Sequence, residues 1–173
     1  MNSIREELKS DSLDLHDALE DCNEIVALLY RLDSLDKVNY PHEEDTLRKV
    51  IYRVNNFTNF GINATSYKSL VSSENISLIT DLQLKEDLVS YYEFQGEIDF
   101  ANQIFMQFLN ESNDYLNDKF LFAEGRFTVT GILRQTEMRN NLTKLLSSIY
   151  QKKRKYLEAE ERMNGLLKKL SPF

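Results

Sequence analysis

A chain of 173 residues with five glycines, two prolines and one cysteine is too poor in turn formers for an all-β fold, which needs turn signals every ~8–12 residues. Its length suits one domain, the lone Cys22 excludes an intrachain disulfide, and no apolar run of about 18 residues offers a membrane span. The net charge of −7 is unevenly spread: residues 1–45 carry 13 acidic against 4 basic side chains, and residues 134–173 carry 10 basic against 4 acidic.

The expected first helix runs from about residue 3 to 38. Leu15, Leu19, Cys22, Val26 and Leu29 alternate spacings of four and three, the seam of a helix packed lengthwise on others, and Ile25, Leu28 and Leu32 widen the stripe to suit a bundle. Asn39-Tyr40-Pro41 ends it, because proline disfavours helix in the residue before it. A shorter helix is predicted over 43–56, with Leu47, Val50, Ile51 and Val54 on one face. Phe57 to Asn63 reads as a loop in which Gly61 supplies backbone freedom. Asn63 can cap a short helix over 64–73, and Ile76 to Ile79 is a short apolar connector expected to plug the core.

A long helix is predicted over 81–119. Leu84, Leu88, Tyr91, Gln95, Ile98, Asn102, Phe105, Leu109, Ser112 and Leu116 hold the four–three alternation throughout, with Gly96 the place for any bend. Ala123 to Gly131 is a connector. The last helix, over 134–170, repeats the seam with Met138, Leu142, Leu145, Ile149, Tyr156, Ala159, Met163, Leu166 and Leu170, interrupted once by Lys152, and Ser171-Pro172 stops it. The sum is an all-α fold, an elongated helical bundle of three long and two short helices forming one domain over residues 1–173.

The opposed charges of the two ends are expected to face each other, each pair contributing only a few tenths of a kcal/mol. The alternative use of Lys152-Lys153-Arg154-Lys155 is an anion, lipid-headgroup or nucleic-acid patch. No nucleic-acid partner is expected, since such a protein is usually basic overall.

Catalytic chemistry finds few parts. His16 and His42 are the whole imidazole supply, and the HExxH and ExxH patterns of zinc and di-iron helices are missing, so no metal and no cofactor is expected. Cys22 lies in the seam of the first helix, where a small buried hydrophobe is the default. There is no GxSxG elbow and no phosphate-cradling glycine loop, since Gly125 and Gly131 lack the following Lys-Ser/Thr. Sequons at Asn56, Asn63, Asn75, Asn110 and Asn141 reflect an Asn- and Ser-rich composition. No catalytic residue is assigned and the chain is not expected to be an enzyme. The suggestive polar feature is Gln95 and Asn102 at seam positions, with Tyr91 and Tyr92 a turn above. Such residues fix register at a cost in stability; the other reading is a polar cavity for a small ligand.

Ser66-Tyr67-Lys68-Ser69-Leu70-Val71-Ser72-Ser73, followed by Ile76-Ser77-Leu78-Ile79, Leu84, Leu88 and Tyr91-Tyr92, resembles an uncharacterised family of small bacterial proteins, mainly from Bacteroidetes. The signature positions are Tyr67, Leu70, Ser72, Ser73, Leu78, Ile79, Tyr91 and Tyr92, and Glu6-Glu7-Leu8-Lys9-Ser10-Asp11 is similar to the opening of the family's helical region. Many members have glycine after the Ser-Ser pair. Here Glu74-Asn75 stands there, with Asn75 able to serve the same left-handed turn.

The resemblance implies a basic tail and one membrane span preceding a helical domain. This chain would then be the soluble helical part, on the periplasmic side of a bacterial inner membrane by the positive-inside rule, with membrane contact only through a span absent from this chain. It transfers no catalytic residues. The expected function is a non-enzymatic, membrane-proximal domain acting through protein–protein contacts or self-association, with Phe94, Phe100 and Phe108 as candidates for an exposed aromatic patch. The alternative is a small-ligand-binding or sensor bundle.

Overall fold

The computed structural model describes residues 1–35, 43–119 and 135–170. Helix α1 (Asn2–Leu35) is followed by α2 (Glu43–Asn55), α3 (Thr65–Ser72), a 3-10 turn (Asn75–Leu78), α4 (Leu82–Glu93), α5 (Gln95–Lys119) and α6 (Thr136–Lys169). The architecture is all-α, with no strand among the described residues. The 34-residue α1 and α6 are each about 50 Å long at ~1.5 Å rise per residue, so the bundle is elongated. The expected stop at Asn39-Tyr40-Pro41, the last turn of the first helix beyond residue 35, the connector over 123–131 and the Ser171-Pro172 stop lie outside the described residues, as do His42, Gly125 and Gly131.

The seams pack as their spacing demands. Helix α6 lies along both α1 and α5, α2 and α3 rest on α1, and α4 rests on α6. Leu8, Leu15, Ile25 and Leu32 of α1, Ile98 and Phe105 of α5, and Ile149, Tyr156 and Met163 of α6 are fully buried in one continuous core. Each such side chain contributes ~1.5–3 kcal/mol by leaving water. Lys152 does not interrupt the α6 seam but occupies it, completely buried between Ile149 and Tyr156.

Two expectations along the middle of the chain are corrected. The helix over 81–119 is not continuous: it breaks at Phe94, where the Phe94 N–H tightens onto the Tyr91 carbonyl at 3.2 Å and the Glu97 and Ile98 N–H groups both reach the Phe94 carbonyl. Gly96 is not the bend. The Phe94 ring is buried against α6, with the Arg162 guanidinium 4.3 Å and the Lys155 ammonium 5.2 Å from its centroid. Arg162 also donates to the Ser90 carbonyl and hydroxyl, serving a carbonyl in the last turn of α4. The break is thus held from the side by cation–π and helix-end contacts.

The connector after α3 does not plug the core either. Ile79 packs against the core from its edge, Ile76 is half-buried, and Leu78 is 74% exposed. The left-handed residue at this corner is Glu74, with φ 58°, rather than Asn75. Asn75 instead donates to the Ser73 hydroxyl at 2.9 Å, and the Ser72 and Ser73 hydroxyls return to the Ser69 carbonyl. Asp81 caps α4 by accepting from the Leu84 N–H at 3.0 Å, which fixes where the chain re-enters the bundle.

The acidic α1 and the basic α6 lie along each other. Across helices, α6 makes ion pairs from Lys144 to Glu111 and from Lys155 to Glu97 on α5, and from Lys169 to Asp87 on α4. Helix α1 uses Asp21 and Glu24 on Arg53 of α2. The 152–155 run is therefore largely engaged: Lys152 is buried, Lys155 is bridged to Glu97 and Glu158, and Arg154 lies 3.8 Å from Glu158.

Candidate functional site

Non-helical backbone inside a helical bundle has no ladder of its own, so its N–H and C=O groups need partners from elsewhere. Segment 57–64 meets this demand with side chains from three helices. The Thr58 N–H donates to Asp21 at 2.6 Å, the Phe60 N–H to the Tyr156 hydroxyl at 2.9 Å, and the Ile62 N–H to Gln95 Oε1. The Phe60 carbonyl accepts from Asn102 Nδ2 at 3.0 Å, and the Tyr156 hydroxyl donates to Asn102 Oδ1 at 2.8 Å. Phe60 and Ile62 point into the core, and Phe57 meets Phe105 edge-on at 4.8 Å. At Gly61 any Cβ would sit 3.3 Å from Gln95 Nε2, so close approach is what this glycine provides. The seam residues Gln95 and Asn102 are thus brought together, but as a clamp on the chain's own backbone. Both of Asn102's amide atoms are occupied.

Beside this clamp sits Lys152, whose Nζ donates to Asn59 Oδ1 at 2.8 Å and lies 3.9 Å from the Phe57 ring centroid, 4.9 Å from that of Phe105 and 5.5 Å from that of Tyr156. Burial lowers the ammonium pKa to about 8, while the ring faces favour its charged form. Burial also raises the Tyr156 hydroxyl above the usual phenol range and the Cys22 thiol to about 11, leaving Cys22 an inert core residue.

The second half of the site is a bracket that sequence reasoning missed. Glu7 and Asp11, one turn apart on α1, are both buried. Each accepts one backbone N–H and one phenol: Glu7 from the Ser66 N–H at 2.7 Å and the Tyr92 hydroxyl at 2.9 Å, Asp11 from the Asn63 N–H at 3.2 Å and the Tyr91 hydroxyl at 3.1 Å. Helix α3 has no cap from its assigned cap residue Ala64. The expected cap Asn63 accepts from the Thr65 N–H at 3.1 Å, and Glu7 supplies the next partner from a different helix. Desolvation raises Asp11 to about 6, and it pushes both phenols above their usual range.

The resemblance signature converges here in part. The Tyr67 ring stacks on Tyr92 at 4.2 Å, and Tyr92 meets Tyr91 edge-on at 5.1 Å; Leu70 and Ile79 pack against the core. Ser72 and Ser73 work within the corner, and Leu78 points to solvent. The clue to the bracket was the α1 seam itself, for its alternation continued back from Leu15 lands on Asp11, Leu8 and Ile4. Carboxylates in an acidic helix are ordinarily its wet face, which hides the two that are not.

Other candidates do not assemble. His16 is exposed, 3.5 Å from Glu20, and among the described residues no group of three or more His, Cys, Asp or Glu comes together to hold a metal. The aromatic patch does not form: Phe94 is buried, Phe108 is half-buried with Lys144 5.5 Å above its ring, and Phe100 stands 63% exposed. No described helix is long and apolar enough to cross a membrane. Comparison with protein-family models, with curated proteins and with solved structures finds no match to this chain.

Proposed function

We propose that this chain is a non-catalytic helical domain acting through protein contacts, held near a bacterial inner membrane on the periplasmic side by a span outside the chain. The membrane placement rests on the signature resemblance, and the mode of action on the polar seam. The observation that carries it is the use of Gln95, Asn102 and Tyr156 on the chain's own segment 57–64, which spends on internal architecture the groups that a ligand would need.

Contact-forming surface lies instead at the corner between α3 and α4. Leu78 is 74% and Leu82 73% exposed, with Val71 also in solvent. Leu82 also borders a surface groove of about 690 Å³ whose lining is mostly charged, from Lys85, Glu86, Glu93, Glu97 and Arg162. Apolar side chains grouped at one corner are the kind of surface that a protein partner covers.

Native mass spectrometry of the purified protein separates this reading from the ligand-binding one. The expected result is the bare 20.3 kDa chain or its integral multiples. A species heavier by a few hundred daltons, retained under gentle activation and lost from an Asn102→Leu variant, would contradict it.

A further inference from the structure

The Glu7–Asp11 bracket has a feature that simple capping does not require. Each buried carboxylate is held by a phenol and an amide rather than by a cation. The groups bearing on Asp11 are the Tyr91 hydroxyl from α4, the Asn63 amide, and Glu7 and Asp14 of its own helix. From α3 the neighbouring titratable group is Tyr67, stacked on Tyr92 and itself facing Glu93. No cation acts on Asp11: on α1 Lys9 is paired with Glu6 and Arg5 also acts on Glu6, Lys68 of α3 is exposed, and on α6 Arg162 bonds Ser90 while Lys169 bonds Asp87. Asp11 is thus buried beside a second carboxylate, with no cation acting on it, which penalises its ionised form.

The partners chosen tolerate both protonation states. An amide N–H donates equally to a carboxylate or to the carbonyl oxygen of a protonated acid. A phenol donates to a carboxylate and, by rotating its O–H, accepts from a carboxylic acid. The bonds from the Asn63 N–H and the Tyr91 hydroxyl to Asp11 therefore survive the arrival of a proton, while the cost of burying the charge disappears.

We propose that Asp11 is a proton-operated latch that tightens the start of α3, and with it the exposed Val71–Leu82 corner, onto α1 as the surroundings acidify. The sign follows from Asp11, whose pKa in the closed state is raised to about 6 from an ordinary 3.8. Its favourable contribution is complete below the ordinary value and is lost as pH rises through about 6. Closing is thus favoured about tenfold more at pH 5 than at pH 8.

The test uses the intact chain. The Asp11 carboxyl ¹³C resonance is expected to titrate with a midpoint near 6, and hydrogen exchange at the Asn63 and Ser66 amides, corrected for intrinsic rate, to slow about tenfold between pH 8 and pH 5. The core amide of Phe105 should change much less, and Asp11→Asn should abolish the change at Asn63 and Ser66. A midpoint below 4.5, pH-independent protection in the wild-type protein, or an equal rise at Phe105 would each overturn the latch. The first two readings need no variant, so a failure of Asp11→Asn to fold leaves the outcome decided.

Discussion

Asn102→Leu is expected to destabilise the fold by about 2–4 kcal/mol, measured by urea unfolding at pH 7. The expectation runs opposite to that for a polar residue whose only task is register, since leucine at such a seam position ordinarily raises stability. Here the amide satisfies the Phe60 carbonyl and receives the Tyr156 hydroxyl. Leucine would leave the carbonyl of the buried Phe60 and the hydroxyl of the buried Tyr156 without these partners, at ~1–3 kcal/mol each. The loss should be accompanied by release of segment 57–64, visible as new proteolytic cleavage near Phe60 while α1 and α6 remain intact. A stabilised variant would mean that the segment is not held by this clamp.

Lys152→Met is expected to do the reverse and stabilise the protein by about 1–2 kcal/mol at pH 7. Burial lowers the lysine to about 8 from an ordinary 10.5, so holding it charged at pH 7 costs on the order of 3 kcal/mol. The ring faces of Phe57, Phe105 and Tyr156 return ~1–2 kcal/mol of that, and methionine fills nearly the same volume against them. Asn59, the lysine's hydrogen-bond acceptor, is exposed and can turn to water. Because the lysine pKa is depressed on folding, its contribution is complete above 10.5 and is lost as pH falls through about 8. Wild-type stability should therefore rise by about 1 kcal/mol from pH 7 to pH 9, before the raised Cys22 thiol acts in the opposite sense, and Lys152→Met should flatten that rise. Destabilisation by the methionine would show that the cation is the pin of the aromatic cage.

What the sequence disclosed and what it hid divide along a physical line. The long helices were legible because a four–three apolar seam has few other uses, and Leu15, Cys22 and Leu29 on α1, like Leu145, Ile149 and Met163 on α6, are buried as that spacing requires. The polar seam positions Gln95 and Asn102 were legible as exceptions. Their partners were not, because those belong to a loop more than thirty residues away whose path no helical period describes. Lys152 read as a break in the seam because a lysine is almost never fully buried; only its three ring neighbours, from three separate elements, make the site tolerable. The break at Phe94 was hidden for the related reason that Arg162 and Lys155, which hold it, come from another helix. Glu7 and Asp11 were in view as an acidic stretch of the resemblance, yet a carboxylate's burial is decided by what packs over it, here Tyr91 and Tyr92.

Segment 57–63 is bound within the bundle by helix side chains, Asp21, Gln95, Asn102 and Tyr156, that would otherwise form a polar cavity. Native-state hydrogen exchange at single-residue resolution across 57–63 tests it most directly. A patterned result is expected: slow exchange at the Thr58, Phe60, Ile62 and Asn63 amides, which donate to Asp21, Tyr156, Gln95 and Asp11, and fast exchange at the exposed Asn59 and Gly61 between them. Uniformly fast exchange through the segment, with α5 and α6 still protected, would contradict it and return Gln95 and Asn102 to the status of an open polar site.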